Sequence, residues 1–271
     1  MNNRLVVPDA IKQHLSGNAF KALMQMQGKA FRDVRGRKTI QVALGGKSYF
    51  IKQHFGVGWA EIFKNLIAFK KPILGAMTEV NAIQKLNTIG IPTTPLVAYG
   101  QQGCNPATMQ SFVMTEDLGE IISLEELSAE WSTFTDTFKQ ALMQAVAELA
   151  SKLHGAGLVH RDFYLCHFIL KKQDLNTDAT SIKNLHLIDL HRMLQGQASN
   201  GRAVMKDIAG LYFSAMQCGL SAQDLAVFKQ HYLIQAPEFW EQVKTRSQKL
   251  LTKFNSQKFQ QRLQQEKSAI R

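Results

Sequence analysis

The 271-residue chain is poor in cysteine and has no long apolar run. Its three cysteines, Cys104, Cys166 and Cys218, are an odd number without CxxC spacing, which argues against a disulfide framework or a zinc site and fits a reducing compartment. No stretch approaches the roughly 18 consecutive apolar residues of a membrane span. The first residues, MNNRLVVPDAIKQHL, lack the apolar core of a signal peptide. These absences predict a cytoplasmic protein.

Acidic residues are also few, with 21 Asp and Glu against 32 Lys and Arg, which gives a formal charge of +11. Such an excess favours an anionic partner: nucleic acid, a phospholipid surface or an acidic glycan. The sequence carries no RNP, zinc-finger or helix-turn-helix signature, so nucleic acid is the least favoured of the three.

Residue patterns change about halfway along the chain, and we find no internal repeat. Residues 30–53 have short β-branched and aromatic runs punctuated by Gly36 and Gly45-Gly46, which predicts a β-meander. A helix is predicted over 78–90 with Thr78 as its cap, and a strand pair follows it. From about residue 122 the spacing of apolar residues is helical. A β-rich first part and a mainly helical second part predict an α+β, two-lobed fold.

The segment VHRDFYLCHFIL (159–170) resembles the catalytic loop of a protein kinase. In that loop the Asp, here Asp162, accepts or orients the proton of the attacking hydroxyl. Asp189, in HLIDLH, stands where a kinase has the metal-binding Asp of its DFG motif. The Asp189 match alone is weak, but the two aspartates with their flanking apolar runs together predict an ATP-dependent phosphotransferase.

Two residues further upstream fit the same chemistry. Lys52 ends the predicted third strand, where a kinase places the lysine that binds the nucleotide phosphates, and Glu79 on the next helix could pair with it. Taken singly, each is an ordinary surface residue. Taken with Asp162 and Asp189, they form a complete set for binding Mg-ATP.

The fifth residue after Asp162 is His167, where a protein kinase has a magnesium-binding Asn. Magnesium prefers oxygen ligands, so an imidazole is a poor direct substitute. Three roles stay open for His167: hydrogen bonding to a phosphate oxygen, contact with the metal through water, or bracing of the catalytic loop from a buried position.

The phosphate-binding hairpin is also atypical, because RDVRGRKT (32–39) keeps one glycine, Gly36. Three cations surround it, Arg35, Arg37 and Lys38. Side-chain cations would then replace part of the usual backbone cradle around the phosphates. The alternative is a charged hairpin tip that faces solvent.

These motifs, with the stretch GVGWAEIFKNLIAFKKPILGAMTEV (56–80), resemble the lipopolysaccharide core heptose kinases (WaaP/RfaP), a family of the protein-kinase-like superfamily. The resemblance runs from about residue 28 to about residue 220. It implies ATP- and Mg²⁺-dependent phosphorylation of an inner-core heptose. By position, it implies Asp162 as catalytic base, Asp189 as metal ligand, Lys52 as phosphate-binding lysine and Glu79 as its partner. A histidine at position 167 fits this family.

The corresponding domain prediction is an N-terminal extension (1–27), a nucleotide-binding N-lobe (28–118) and a catalytic, acceptor-binding C-lobe (119–271). Between Asp189 and Lys206 the sequence has a single hydroxyl residue, Ser199, so activation by loop phosphorylation is not expected. Asp207 has two open interpretations: it accepts hydrogen bonds from the catalytic-loop backbone, or it is a carboxylate that stabilises a helix N-terminus.

The stretch GWAEIFKNLIAFKKP combines aromatic residues with lysines, which suits an anionic membrane interface, although such helices more often pack on their own domain. Together with the charge of +11, the family resemblance implies a peripheral protein on the cytoplasmic face of the inner membrane. The resemblance also suggests acyl carrier protein as a partner. Other acceptors, such as the acidic sugar Kdo or a protein, and a catalytically inactive binding module are the competing hypotheses.

Overall fold

The computed structural model describes residues 3–34, 36–67 and 73–268. The chain divides into two compact units. The first contains Met1–Gly119 together with the short segment Asp189–Met193, and the second contains Glu120–Ile188 and Leu194–Arg271.

The first unit is built on an antiparallel sheet, to which six strands of the described residues contribute in the order β1-β5-β6-β4-β3-β2. Its elements, in chain order, are β1 (Arg4–Val6), α1 (Asp9–Lys12), α2 (Ala19–Gln25), β2 (Lys29–Val34), β3 (Arg37–Leu44), β4 (Lys47–His54), α3 (Gly58–Ile67), α4 (Met77–Thr88), β5 (Leu96–Gln102) and β6 (Gln110–Glu116). Strands β2, β3 and β4 form the predicted meander. Gly45 and Gly46 both have positive φ, as the tight turn between β3 and β4 requires.

One face of this sheet is covered by the first helices of the chain. Ile40, Ile51 and Phe112 point to that face and pack with residues of α1 and α2 in one apolar cluster. The side chain of Gln53 donates to the carbonyls of Leu23 and Met26, at 2.8 and 3.2 Å. Residues 1–27, predicted as an extension, thus contribute β1 to the sheet and two helices to its core.

Helix α4 begins differently from the prediction. The sequence suggests Thr78 as the cap, whereas the residue at the cap position is Ala76, which has no capping side chain. Its backbone N–H instead donates to the hydroxyl of Ser111 on β6, at 3.0 Å. A residue far away in the sequence therefore replaces the local cap, so the prediction of Thr78 was wrong.

The second unit is mainly helical. Its elements are β7 (Ile121–Ser123), α5 (Leu124–Ser128), α6 (Asp136–Gly155), β8 (Phe168–Lys171), β9 (His186–Leu187), α7 (Arg202–Gln217), α8 (Ala222–His231), α9 (Pro237–Phe254) and α10 (Gln257–Ser268). Helix α6 buries an apolar face at helical spacing, which includes Phe138, Leu142, Val146 and Leu153. Strands β7, β8 and β9 form a small antiparallel sheet, in which β8 begins at the end of the catalytic-loop sequence.

Candidate active site

Lys52 on β4 is the central cation of the first unit. Its ammonium lies 2.7 Å from Glu79 Oε1 and 3.4 Å from Asp189 Oδ1. Burial disfavours the charged form of Lys52, but the charges of Glu79 and Asp189 outweigh it, so the pKa of Lys52 is raised. The lysine is therefore a fixed cation, and the pairing with Glu79 expected from the sequence is present.

Glu79 reaches Lys52 because α4 packs its apolar side against the rest of the unit. Val80, Ile83 and Leu86 are buried at helical spacing, and the same side carries Glu79, which is 4% exposed. Glu79 Oε2 is buried and has no hydrogen-bond partner among the described residues. A buried carboxylate with one oxygen on Lys52 is stable only while that lysine stays in place.

Asp189 adopts a strained backbone conformation. Its φ and ψ are 62° and 52°, in the left-handed region that costs a non-glycine residue on the order of 1–3 kcal/mol. His191 Nδ1 lies 2.7 Å from the same Oδ1 atom that faces Lys52. The carboxylate is thus held by a lysine and a histidine, and about a third of its side chain stays exposed.

The tip of the β2–β3 hairpin is tied to the end of β4. Gly36 has φ of 80°, and a Cβ atom at this position would lie 2.6 Å from the carbonyl oxygen of Gly56. The Gly36 carbonyl also accepts a hydrogen bond from the N–H of Phe55, at 2.9 Å. Only glycine fits here, because both the backbone angle and the close approach exclude a side chain. Arg35, the first of the expected cations, lies outside the described residues.

The register of the sheet separates the two remaining cations of the hairpin. Thr39 is opposite Lys52 across β3 and β4, so Arg37 shares the face of Lys52. Burial and the charge of Arg32 lower the pKa of Arg37, while Asp189 and Glu61 act in the opposite direction.

Lys38 points to the other face, where its ammonium donates to Gln27 Oε1 at 3.0 Å. Lys38 therefore lies on the opposite sheet face from Lys52 and Arg37.

His54 was missed by the sequence analysis. It lies opposite Arg37 at the end of β4 and is 5% exposed. Burial lowers its pKa to about 4, helped by the charges of Arg37, Lys52 and His191, so His54 is neutral at pH 7. The sequence signal was its position two residues after Lys52 on the same strand face.

In the second unit, the catalytic loop is held by Asp207 on α7. The N–H of His160 donates to Asp207 Oδ2 at 2.6 Å, and the N–H of Arg161 donates to Oδ1 at 2.9 Å. Arg161 has a positive φ of 75°, a strained angle that these bonds stabilise. Of the two interpretations of Asp207, the structure shows the one in which it binds the loop backbone.

A buried network extends outward from Asp207. His154 on α6 is fully buried, with Nε2 3.5 Å from Asp207 Oδ2 and Nδ1 2.7 Å from the hydroxyl of Tyr232. His160 Nε2 donates to the carbonyl of Ile188 at 2.9 Å, and burial lowers the pKa of His160, so the ring is neutral. His160 therefore positions the loop through a hydrogen bond, whereas His154 Nε2 is in close contact with Asp207 but has no hydrogen-bond partner among the described residues.

His167 also contacts the loop. Its Nδ1 lies 2.6 Å from the carbonyl oxygen of Asp162, and since a carbonyl only accepts, Nδ1 carries the proton. The contact expected for a bracing role is thus present, although the ring is half-buried rather than buried. In the described part of the chain, no cluster of three or more His, Cys, Asp or Glu side chains could hold a metal ion by itself.

Comparison with known proteins gives three consistent similarities. The profile of the lipopolysaccharide kinase (Kdo/WaaP) family matches residues 21–232. The lipopolysaccharide core heptose(I) kinase WaaP of Pseudomonas aeruginosa is 40% identical over 232 residues, which cover 84% of this chain and 86% of that protein. WaaP of Escherichia coli is 39% identical over 221 residues, 79% of this chain and 80% of that protein.

A solved structure is similar as well. The structure of WaaP in complex with acyl carrier protein superposes with a TM-score of 0.75 at 33% identity, covering 91% of this chain and 99% of that one. The similarity therefore includes the fold of nearly the whole chain.

Proposed function

The chain belongs to the lipopolysaccharide kinase (Kdo/WaaP) family, and from this premise we propose that it transfers the γ-phosphoryl group of ATP to a heptose hydroxyl of the lipopolysaccharide inner core. Its enzyme class, a kinase, follows from the family. The observation that carries the proposal is the ion-paired set of Lys52, Glu79 and Asp189 in a chain 40% identical to a heptose(I) kinase.

In this proposal the first unit binds the nucleotide phosphates. Lys52 supplies a fixed positive charge, and Glu79 holds its side chain in place. Arg37 lies on the same sheet face and has a buried Nε without a hydrogen-bond partner among the described residues, so it adds a second cation for the phosphates. Gly36 lets the backbone of the hairpin tip approach the carbonyl of Gly56 closely.

The residues also fit a magnesium ion. Mg²⁺ binds through one or two carboxylates together with substrate phosphates and water, so a single partly exposed carboxylate such as Asp189 suffices as its ligand from this chain. Bound there, the ion would neutralise negative charge on the phosphates. His167 is assigned to loop bracing, because its Nδ1–H is donated to Asp162 and an imidazole is a poor ligand for magnesium.

Asp162 is proposed to accept the proton of the acceptor hydroxyl. Its loop position is set by three contacts at the backbone: Asp207 on the two preceding residues and His167 on its own carbonyl. A general base with a fixed position contributes about 10²- to 10⁴-fold to the rate.

The choice of heptose over other acceptors is supported by the relatives, which are heptose(I) kinases. A Kdo acceptor is the second candidate, since the name of the family pairs Kdo with WaaP. A binding module without activity is disfavoured, because the chain keeps all four charged residues of the reaction.

One assay tests the activity. Radiolabelled ATP is offered to the purified chain with phosphate-free core lipopolysaccharide, with Kdo, and with protein substrates in parallel. We expect label only in the heptose of the core, and loss of labelling in D162A. Transfer to Kdo or protein alone would contradict the heptose assignment, and unchanged transfer by D162A would refute the role of Asp162.

We further propose that α3 lies on the inner-membrane surface at the cytoplasmic face. None of the described helices is long and apolar enough to cross a bilayer. Trp59, Phe63 and Ile67 lie at four-residue spacing along α3 and are 50, 55 and 79% exposed, while Ile62 is buried. A helix that buries one side and exposes aromatics on the other suits an interface. Phe69, Lys70 and Lys71 of the same stretch lie outside the described residues.

Cosedimentation with vesicles of phosphatidylglycerol and phosphatidylethanolamine tests this location. The chain should bind, and W59S/F63S should bind at least tenfold more weakly, because two aromatic side chains leave the interface. The variant L233S, which alters an exposed apolar residue of the second unit, serves as the control. Equal binding by all three proteins would refute the role of α3.

Acyl carrier protein is a proposed partner, since a structurally similar WaaP was solved in complex with one. Purified acyl carrier protein should comigrate with the chain in size-exclusion chromatography and raise its melting temperature. Separate elution at micromolar concentrations would refute the association.

A further inference from the structure

Four cations meet beside the catalytic loop of the second unit. Arg202 and Lys206 are one turn apart on α7 and share a helix face. The next residue, Asp207, holds the backbone of Arg161 at 2.9 Å, which brings Arg161 to the same end of α7. Arg161 directly precedes the proposed base, Asp162.

The fourth cation, Arg246, comes from α9, which packs along α7. Ring contacts join the two helices, with centroids 5.5 Å apart for Tyr212 and Trp240 and 5.8 Å apart for Phe213 and Phe254. Arg246 is half-buried, and its Nε is buried without a hydrogen-bond partner among the described residues. A buried, unpaired guanidinium donor is costly unless a ligand satisfies it.

The charges of this cluster are uncompensated. Burial lowers the pKa of Lys206, and the charges of Arg202, Arg246 and Arg161 lower it further, in that order. Within the residues that the structure describes, none of the four side chains forms an ion pair with an acid. The nearby carboxylate of Asp207 is occupied by two backbone N–H groups.

The helix end itself adds to the positive potential. Helix α7 begins at Arg202, its N-cap Gly201 provides no capping side chain, and no acidic residue occupies its first turn. Helix N-termini favour anions and disfavour cations, so Arg202 and Lys206 destabilise the free helix. Their placement is explained by an anion that binds there.

We propose that Arg161, Arg202, Lys206 and Arg246 form a subsite for an anionic group of the saccharide acceptor, a carboxylate or a phosphate next to the sugar that is phosphorylated. The inference rests on the proposed function and adds to it a requirement on the acceptor. The four cations would bind a neighbouring acidic sugar or phosphate. The acceptor hydroxyl would thereby be oriented toward Asp162. Guanidinium groups suit this task because they bind carboxylate and phosphate oxygens in pairs.

The test combines a charge change in the protein with one in the acceptor. The protein variants are R202Q/K206Q, which alters two exposed residues, and the control K21Q/K183Q, which removes the same charge from exposed sites elsewhere. The acceptors are phosphate-free core saccharide and the same saccharide with its carboxylates reduced to alcohols. A third acceptor has the same reduced carboxylates and carries an added phosphate. Acceptor KM, ATP KM and calorimetric binding of the saccharide are measured for each pair.

For the parent chain and the control, we expect reduction of the carboxylates to raise the acceptor KM at least tenfold. R202Q/K206Q should show a similarly high KM for both charged and reduced acceptors, with the ATP KM changed less than twofold. If reduction of the carboxylates leaves the acceptor KM of the parent chain unchanged and the added phosphate lowers this KM at least tenfold, phosphate is the anion recognised. Equal KM values for all three acceptors in the parent chain would overturn the inference.

Two further outcomes also decide. If the chain transfers phosphate to no saccharide, the proposed function fails, and the subsite is then tested by calorimetry alone. Charge-dependent binding of the saccharide that is lost in R202Q/K206Q supports the subsite. The absence of such binding overturns the inference. If mass spectrometry finds Ser199 phosphorylated and S199A loses activity, the cluster serves the chain's own phosphate and the inference is wrong.

Discussion

The two units differ in how they compensate the charges near the proposed reaction. In the first, Lys52 lies between two carboxylates, 2.7 Å from Glu79 and 3.4 Å from Asp189. In the second, the carboxylate of Asp207 binds two backbone amides, and the cations around it have no acidic partner within the described residues. Lys52 of the first unit is thus paired before a substrate arrives, whereas the cations around Asp207 in the second unit leave positive charge available for an anion.

This difference suggests a division of labour. A pre-paired lysine keeps one conformation and is ready for the phosphates, at the cost of carboxylates that compete for it. Unpaired cations give strong discrimination between charged and neutral acceptors, because they are destabilising until an anion binds. Variants that disturb the position of the loop should therefore behave differently from variants that break a charge pair.

The largest expected effect comes from breaking the Asp207 network. D207A leaves the amides of His160 and Arg161 buried without an acceptor, so it should lower the free energy of unfolding by about 3–5 kcal/mol. Urea unfolding followed by the fluorescence of Trp131 and Trp240, both in the second unit, measures this loss. D178A, at an exposed site, should change stability by less than about 0.5 kcal/mol. A loss below about 1 kcal/mol in D207A would mean that the loop is held by other contacts.

The second prediction breaks the pre-paired cation. K52M should reduce kcat/KM for ATP about 10²- to 10³-fold and should also destabilise the protein by about 2 kcal/mol, because Glu79 becomes an unpaired buried charge. In K52M/E79L the stability should return while the activity does not, since two apolar side chains can replace a buried pair. Recovery of activity in the double variant would contradict the role of Lys52.

The third prediction concerns acid sensitivity of the first unit. His54 has a folded-state pKa of about 4 and an ordinary value of 6.5, so the unfolded state binds the proton more readily. Its contribution to stability is complete above pH 6.5 and is lost as the pH falls toward 4, about 3 kcal/mol in all. H54Q should therefore lose less stability over this range than the parent chain, as measured by denaturant midpoints. H14Q, at an exposed histidine, should match the parent.

The smallest expected effect lies at the outer end of the Asp207 network. Y232F removes the hydroxyl that contacts His154 Nδ1 at 2.7 Å and should cost about 1 kcal/mol in stability. Activity should stay within twofold, because Asp207 still holds the loop. A drop in kcat well beyond twofold would extend the positioning network to Tyr232.

Much of the fold was predictable because local patterns match the elements that form. The meander over residues 30–53 and the long helix before the catalytic loop carry clear turn and periodicity signals. The start of α4 was not predictable, since the N–H of Ala76 at its cap position donates to the hydroxyl of Ser111 on β6. Likewise, short elements such as β1 and α1 have too few residues for a periodic signal.

Site residues that lie in a recognisable motif were predictable. Residues that are brought to the site only by the packing of strands and helices were not. Asp162, Asp189 and the Lys52–Glu79 pair follow from order and spacing in the sequence, although their roles stay proposals. The sheet face on which Lys38 lies depends on the strand register. Arg246 joins the cations beside the catalytic loop only because α9 packs on α7. A sequence signal did exist for Arg202 and Lys206, whose four-residue spacing ahead of Asp207 places two cations at a helix start.

Strand β1 has a practical consequence for handling the protein. Residues 4–6 pair with Gly100 and its neighbours, so that the short β1 is the edge strand of the first unit's sheet and covers β5. A shortened chain that starts after residue 7 would present the backbone of β5 as an open template, and self-association into oligomers or fibrils is the usual result of such exposure. Affinity tags are therefore better attached at the other end, or separated from Arg4 by a flexible spacer.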